Sequence, residues 1–274
     1  MIDDQPVTGA VGRHELAARV PVLLVHGIRT SASMWRHQVE WLTKTGHPVA
    51  AIDLPGHGSR SAERFSVAGA LAAIDEGVDR LGGRVLLVGL SLGGYYAIAY
   101  AARRPAKVVA LVAAGSSVEP TGLGLAGYRL LARSIHRLPD RGLWLHTVLV
   151  NRMLPPAGAA DVLAGGVALD VMAAGLTATG TLTPLADLAA YPGPVWLVNG
   201  ALDHFRVHQT RFLHAARRGA LVTVPGAGHL VSLHRPDRFD RVLTRIIRIV
   251  EAELDRAAQP GLAWNRDQVS RPGE

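Results

Sequence analysis

The stretch that most constrains the fold is Val85–Ala102. It opens with an apolar run of strand length, it ends with a segment of helical composition, and Gly89-Leu-Ser-Leu-Gly93 lies between the two. A serine between two glycines at a strand-to-helix turn is typical of a nucleophile elbow, where side chains at the glycine positions would collide with neighbouring backbone. We therefore predict a sharp turn that exposes the hydroxyl of Ser91 as a candidate nucleophile.

Other apolar runs of strand length alternate with helical segments along much of the chain. They lack the polar alternation of half-exposed strands, as expected for strands buried on both faces of a parallel sheet. Repeated alternation of strand and helix predicts an α/β fold with a mostly parallel, doubly wound sheet. The runs are Pro21–Val25, Pro48–Asp53, Val85–Val88, Val108–Ala113, Val195–Asn199 and Ala220–Val224.

This alternation stops between residues 118 and 184, where helices but no strand are predicted. We expect most of their apolar residues to belong to the core. Helices inserted into an α/β sheet are also typical of a lid over an active site. We therefore predict a core of residues 1–117 and 185–257, a helical lid over 118–184, a short hairpin at 7–18 and a flexible tail over 258–274. The predicted inserted helices are Tyr128–Leu138, Leu143–Leu154 and Val162–Leu176.

Composition narrows the classes of function. The 274 residues include no cysteine, which excludes disulfides, thiolate metal sites and a cysteine nucleophile. The formal charge of +7 comes almost wholly from scattered arginines, and a basic stripe with interleaved aromatic residues, typical of nucleic-acid binding, is missing. The first residues do not resemble a secretory signal, and the glycines of the most apolar run argue against membrane insertion. We therefore expect a cytoplasmic protein that binds no nucleic acid; its oligomeric state stays open.

A serine nucleophile needs a base beside it, and the base needs a carboxylate to orient it. In an open parallel sheet such groups gather at the carboxyl ends of the strands. His229 follows the last predicted strand in a loop of small residues and is the preferred base, with His234 as its rival. Asp203 follows the penultimate strand and is the preferred acid, with Glu119 as the fallback. The chain order Ser, Asp, His is one that accompanies nucleophile elbows.

An oxyanion hole needs two hydrogen-bond donors. The backbone N–H of Leu92, at the start of the elbow helix, is one candidate, and that of Ile28, in the loop after the first buried strand, is the other. His26 and His57 lie in glycine-rich turns, where we interpret them as partners of backbone groups, and Asp53 is interpreted as structural.

A metal site competes for the loop that carries the candidate acid. Asp203, His204 and His208 have a spacing that could bring ligands together. The chain has no cysteine ligand and no pair of histidines flanking a glutamate, so the metal interpretation is the weaker one. We expect no metal and no other cofactor.

Five motifs together resemble the α/β-hydrolase fold family, of the esterase, lipase and C–C hydrolase type. They occur in family order over about residues 20–255. The resemblance implies Ser91 as nucleophile, His229 as base and Asp203 as acid. It also implies Ile28 and Leu92 as oxyanion donors. The serine at position 91 argues against the dehalogenase and epoxide hydrolase branches, which carry aspartate there. The motifs are His26-Gly27, Asp53-Leu-Pro-Gly-His-Gly-Ser59, Gly89-Leu-Ser-Leu-Gly93, Gly200-Ala-Leu-Asp203 and Gly226-Ala-Gly-His229.

The expected activity is hydrolysis of a carboxylic ester or lactone with an apolar part, through an acyl-enzyme on the serine. Three further activities stay open. One is a thioesterase or acyltransferase acting on groups bound to coenzyme A or to an acidic acyl carrier, which the positive net charge would attract. The second is cleavage of a C–C bond, and the third is ligand binding without hydrolysis, since a fold does not fix a function.

Overall fold

The structure is a computed structural model that describes residues 19–258. The strands are β1 Val22–Val25, β2 Val49–Ile52, β3 Val85–Leu90, β4 Val108–Ala114, β5 Pro194–Gly200 and β6 Arg218–Val224. They form one sheet in the order β2-β1-β3-β4-β5-β6, and every neighbouring pair is parallel. The predicted doubly wound α/β sheet is therefore confirmed. The predicted hairpin at 7–18 and the predicted tail beyond residue 258 lie outside the described residues.

Helices connect these strands and cover both faces of the sheet. The α-helices of the described range are α1 Arg36–Lys44, α2 Val67–Arg80, α3 Leu92–Arg103, α4 Gly122–His136, α5 Leu143–Met153, α6 Pro156–Ala164, α7 Val171–Thr179, α8 Pro184–Ala190, α9 Gln209–Ala215, α10 Val231–His234 and α11 Pro236–Ala258. Single 3₁₀ turns occur at Ala32–Trp35, Gly58–Arg60, Pro105–Lys107 and His204–Arg206.

The side chains of each strand alternate between two helical layers. In β1, Leu23 and Val25 pack with residues of α2, α3, α8 and α9, whereas Val22 and Leu24 pack with residues of α1 and α11. All four side chains are fully buried. Because strand side chains point alternately to opposite faces, an unbroken apolar run is what a sheet covered on both sides requires.

The order of the strands determines where a site can form. The chain steps from β1 to β2 on one side and then crosses to β3 on the other side of β1. The loops that leave the carboxyl ends of β1 and β3 therefore diverge and leave a crevice, the usual binding position in such sheets. Ile28 lies in the loop after β1, and Ser91 directly follows β3.

The last helix, α11, begins at Pro236 and runs to Ala258. Its buried side, which includes Phe239, Leu243 and Ile247, packs under the sheet. Proline suits a helix start because its missing N–H would have no partner there. Across the part of the chain that the structure describes, no helix combines the length and the apolar character needed to cross a membrane.

One local prediction is wrong. The segment Val162–Leu176 is not one helix, because Gly165 ends α6 and Gly166, at φ 78°, turns the chain before α7 begins. A positive φ is readily adopted by glycine and ends the helical hydrogen-bond pattern. The first 3₁₀ turn is capped by Ser31, whose hydroxyl accepts the N–H of Ser33.

The inserted helices, defined here as α4–α7, lie between β4 and β5, and the chain from 118 to 184 contains no strand, as predicted. The expectation that their apolar residues are mostly core is wrong for α4 and α5. Leu130, Leu131 and Met153 expose 63%, 54% and 61% of their surface. The reason is that these helices border a cavity and the solvent instead of packing on the sheet. Leu131 and Met153 line that cavity.

Candidate active site

Ser91 occupies the sharp turn between β3 and α3 that the sequence predicts. Its backbone has φ 54° and ψ −116°, a conformation that residues other than glycine rarely adopt. Gly89 and Gly93, which flank Ser91, must be glycine because a side chain at either position would collide with neighbouring backbone. A Cβ on Gly89 would lie 2.3 Å from the carbonyl oxygen of Gly93, and a Cβ on Gly93 would lie 2.4 Å from that of Val25. Only 9% of Ser91 is exposed, less than the motif predicts, because its side chain opens into the cavity instead of bulk solvent.

The structure brings the three sequence-predicted polar residues into one hydrogen-bonded chain. Ser91 Oγ lies 2.9 Å from His229 Nε2, and His229 Nδ1 lies 3.0 Å from Asp203 Oδ1. If Nδ1 carries the proton, it donates to the carboxylate, and Nε2 is left to accept the serine O–H. These are the distances that a nucleophile, a base and an orienting acid need.

Close contact between the loops after β5 and β6 holds the acid and the imidazole together. A Cβ on Gly200 would lie 2.3 Å from the carbonyl oxygen of Gly228, so only glycine allows this approach. Leu202 N–H donates to Ala227 O at 2.9 Å and ties the loops across the gap. Asp203 Oδ1 also accepts the N–H of Phe205 at 2.8 Å, which fixes the carboxylate.

The carboxyl group of Asp203 is suited to remain ionised. Burial by itself raises its pKa, but the hydrogen bond and charge of His229 and the N–H of Phe205 outweigh burial, so the pKa lies below its usual value. Asp203 Oδ2 is buried without a hydrogen-bond partner. The ionised carboxylate can therefore stabilise a positive charge that develops on the imidazole.

The two expected oxyanion donors lie beside Ser91. Gly93 N–H donates to His26 O at 3.1 Å, which holds the loop after β1 against the elbow. A Cβ on Gly27 would lie 3.5 Å from the Cβ of Ser91. No acceptor among residues 19–258 is hydrogen-bonded to the N–H of Ile28 or of Leu92.

The turns that carry His26, His57 and Asp53 are structural, as interpreted from the sequence. His26 is fully buried: its Nε2 accepts the N–H of Leu54 at 3.0 Å, and its Nδ1–H donates to Gly27 O at 2.8 Å. Burial, assisted by the neighbouring His57, lowers the pKa of His26 to about 3. His57 Nδ1–H donates to Pro55 O, and Asp53 accepts the N–H groups of Ala32 and Ser59.

The competing candidates lie in other contacts. Glu119 pairs with Arg211 and with His208, away from the imidazole of His229. His234 lines the cavity, but its Nδ1–H donates to Leu230 O at 3.1 Å. The N–H of Glu119 donates to His208 Nδ1, so His208 is not directed at Asp203. Over residues 19–258, no cluster of three or more His, Asp or Glu side chains could hold a metal ion.

A cavity of about 370 Å³ opens at Ser91 and His229. Its walls are mainly apolar side chains of α4 and α5, including Ile135, Leu149 and Val150. It also contains three polar side chains that the sequence analysis missed, Arg29, Tyr128 and His146. Arg29 directly follows Ile28, the predicted oxyanion residue, and this position in the sequence could have indicated that it lies near the site. The other two lie on helices whose orientation the sequence did not reveal.

Comparison with known proteins identifies the family. A model of the alpha/beta hydrolase family matches residues 22–242. The chain belongs to this family. The hydrolase is 38% identical over 96 residues to monoacylglycerol lipase abhd6-B of Xenopus laevis, a match that covers 33% of this chain and 28% of the lipase. It is 36% identical over 104 residues to lipase LipV of Mycobacterium tuberculosis, a match that covers 37% of this chain and 39% of that lipase.

A third relative is the 1-acylglycerol-3-phosphate O-acyltransferase ABHD5 of Sus scrofa, 33% identical over 116 residues, which are 40% of this chain and 32% of that protein. The hydrolase therefore matches less than two fifths of the length of each of these relatives. Solved structures extend the likeness of the fold to most of the chain.

A carboxylesterase structure from Nitrososphaera gargenis superposes with a TM-score of 0.73 at 20% identity, covering 86% of this chain and 93% of that one. A thermophilic esterase from Thermogutta terrifontis superposes with a TM-score of 0.69 at 22% identity, covering 85% of this chain and 90% of that one. At these identities the likeness establishes the α/β-hydrolase fold.

Proposed function

We propose that this hydrolase cleaves a carboxylic ester or lactone through an acyl-enzyme on Ser91. The observation that carries the proposal is the hydrogen-bonded chain from Ser91 through His229 to Asp203. Its members follow three different strands, so their alignment within hydrogen-bond distance is a product of the whole sheet. The unengaged N–H groups of Ile28 and Leu92 beside the serine support the same reaction.

In the first half of the reaction, Ser91 Oγ attacks the ester carbonyl while His229 Nε2 takes the hydroxyl proton. The imidazolium then faces the ionised carboxylate of Asp203. The negative oxygen of the tetrahedral intermediate accepts hydrogen bonds from Ile28 N–H and Leu92 N–H. When the intermediate collapses, the C–O bond to the alcohol breaks, and His229 returns its proton to the departing oxygen.

In the second half, a water molecule takes the place of the alcohol. His229 removes a proton from this water as its oxygen attacks the acyl carbon. The same two N–H groups stabilise the second tetrahedral intermediate. Breaking the bond to Ser91 Oγ, with return of the proton from His229, releases the acid and restores the hydroxyl. A lactone follows the same steps, with the alcohol and the acid joined in one product.

The cavity supports a substrate with an apolar part. Its volume of about 370 Å³ suits a small or medium acyl group. Leu131, Leu149 and Met153 line it and are also exposed, so an apolar chain could enter between α4 and α5. The relatives named as lipases point to ester substrates as well. We propose that the inserted helices act as the lid predicted from the sequence.

Acyl transfer is the second candidate. The relative named as an acyltransferase and the net charge of +7 favour an acceptor other than water, or a donor bound to an acidic carrier. An acyl-enzyme on Ser91 could pass its acyl group to an alcohol or thiol in the position of the water. Product analysis of an ester reaction with glycerol or coenzyme A present distinguishes transfer from hydrolysis. A protein that cleaves C–C bonds, or one that binds its ligand without hydrolysis, would form neither the acid nor the transfer product.

The test is hydrolysis of a series of p-nitrophenyl esters of increasing chain length, together with labelling by a fluorophosphonate probe. We expect Ser91→Ala to lower kcat by about 10³-fold or more and to abolish labelling. Ser61→Ala is the matched control, because Ser61 is exposed and lies in the turn after Gly58–Arg60. The proposal is wrong if Ser91→Ala keeps the activity of the unmodified protein.

A further inference from the structure

The cavity at Ser91 combines apolar walls with a positively charged residue. Arg29 lines it together with the rings of Tyr128 and His146. Neither aspartate nor glutamate is among the described residues that line this cavity. A substrate that fills it therefore meets a guanidinium group without a protein counter-ion.

The backbone aims Arg29 at the site in an unfavourable conformation. Its φ is 64°, in the left-handed region where glycine or asparagine is usual. A long side chain is strained there, and the surrounding structure must impose this conformation. The residue directly follows Ile28, which lines the same cavity as Ser91. The arginine side chain thus begins one residue from the proposed oxyanion hole.

Within residues 19–258, the guanidinium of Arg29 forms no hydrogen bond and no ion pair. Its Nε is buried and has no hydrogen bond, and no carboxylate of the described chain lies within 4.0 Å of it. Burial lowers the pKa of Arg29, but an arginine side chain stays charged at neutral pH. Arg29 is half-buried, and a partly buried cation that lines a cavity without a carboxylate beside it is suited to pair with an anionic group of a ligand.

His146 supplies a second donor or acceptor at the same place. Its Nε2 is buried without a hydrogen-bond partner. Burial, followed by the nearby charge of Arg29, lowers the pKa of His146 to about 4. The ring is therefore neutral at pH 7 and, in the Nε2–H tautomer, can donate one hydrogen bond. Tyr128 lies close enough to Arg29 for the two groups to influence each other, and burial keeps its phenol protonated.

We propose that Arg29 and His146 form a binding subsite for a carboxylate on the substrate, so that the preferred ester is the monoester of a dicarboxylic acid. This proposal rests on the hydrolase function proposed above and names its substrate class. One guanidinium with one neutral imidazole matches the single charge of a carboxylate better than the double charge of a phosphate monoester. The planar guanidinium can hold both carboxylate oxygens.

The test compares two substrates of equal length, monomethyl adipate and methyl hexanoate, which differ in a terminal carboxylate. We expect the unmodified protein to favour monomethyl adipate in kcat/KM. Arg29→Gln should lower kcat/KM for monomethyl adipate by about 10- to 100-fold and leave methyl hexanoate nearly unchanged. Arg29→Gly should have the same effect on both substrates, and glycine adopts the backbone conformation at φ 64° without strain.

Arg137→Gln is the matched control, because Arg137 is exposed at the end of α4 and its loss changes the net charge by the same amount. It should leave the substrate preference intact. If both Arg29 variants keep the preference of the unmodified protein, or if that protein shows no preference for monomethyl adipate, the subsite does not exist.

A binding measurement separates the subsite from the hydrolysis. In the Ser91→Ala protein, calorimetry with monomethyl adipate should show an affinity about 10-fold or more above that of the Ser91→Ala, Arg29→Gly double variant. Equal affinities would overturn the inference. If no ester is hydrolysed and no probe labels Ser91, yet binding depends on Arg29, the hydrolase proposal fails while the carboxylate subsite stands.

Discussion

Replacing Ser91 by glycine should make the protein more stable than replacing it by alanine. Ser91 has φ 54° and ψ −116°, where a residue with a Cβ stores about 1–3 kcal/mol of strain. Glycine removes this strain but adds about 0.4–1 kcal/mol of backbone entropy to the unfolded chain. The difference between these two effects predicts that the free energy of unfolding of the Ser91→Gly protein is roughly 0.5–2 kcal/mol higher than that of the Ser91→Ala protein.

Comparing Ser91→Gly with Ser91→Ala isolates the contribution of backbone strain to the free energy of unfolding. Both lose the hydroxyl and its hydrogen bond to His229 Nε2, so that loss cancels. The Ser91 side chain makes no capping hydrogen bond to α3, so no cap is lost either. What remains is the presence or absence of one Cβ at a strained position. Neither variant should hydrolyse ester, so any gain in stability accompanies loss of function.

Urea unfolding followed by tryptophan fluorescence, together with thermal unfolding, measures this difference. For a chain of this size about 1 kcal/mol corresponds to roughly 2–4 °C in Tm. Ser61, at φ −57° and ψ −29°, provides the control. There Ser61→Gly should be less stable than Ser61→Ala, the opposite order. The strain argument is refuted if Ser91→Gly unfolds at the same Tm as Ser91→Ala or below it.

Two further predictions concern His26 and Asp203. His26 has a folded pKa of about 3 and an unfolded value of 6.5, so the unfolded state binds the extra proton and stability falls as pH drops below 6.5. From pH 7 to pH 4.5 this loss is about 2–3 kcal/mol, and His26→Asn should remove it. Asp203→Asn should lower kcat by about 10³- to 10⁴-fold, because its amide N–H would favour the wrong imidazole tautomer.

Each of these predictions has its own check. For His26, urea unfolding at both pH values gives the acid-induced loss, and a His26→Asn protein with the same loss as the unmodified protein would contradict the assignment. For Asp203, steady-state kinetics should show a nearly constant KM, since the carboxylate acts on His229 and not on the substrate. An Asp203→Asn protein with a raised KM and unchanged kcat would remove Asp203 from the mechanism.

The sequence predicted the sheet and the residues around the nucleophile because close contacts dictated glycines there. Gly89, Gly93 and Gly200 each leave no room for a Cβ, and such positions mark the sequence strongly. Ser91, Asp203 and His229 could therefore be located from their place after predicted strands. The hydrogen-bonded chain among them is a feature of the folded molecule that supports the roles proposed for them.

The inserted helices were harder to predict for a physical reason. A helical period of apolar residues shows that one face is apolar but not what that face contacts. Leu131 and Met153 therefore looked like core, although they border the cavity and the solvent. The proximity of Arg29 to His146 was hidden as well, since it brings a loop after β1 near a helix more than a hundred residues later.

The insertion also divides the chemistry between two parts of the chain. Ser91 precedes it, whereas Asp203 and His229 follow it, and the two parts meet where β4 pairs with β5, as at Leu111 and Val195. A chain cut at the exposed Pro155, between α5 and α6, would leave each fragment with an incomplete set of groups. Ester hydrolysis would return only when the fragments rejoin along β4 and β5, so the cut protein would serve as a split-enzyme reporter of association.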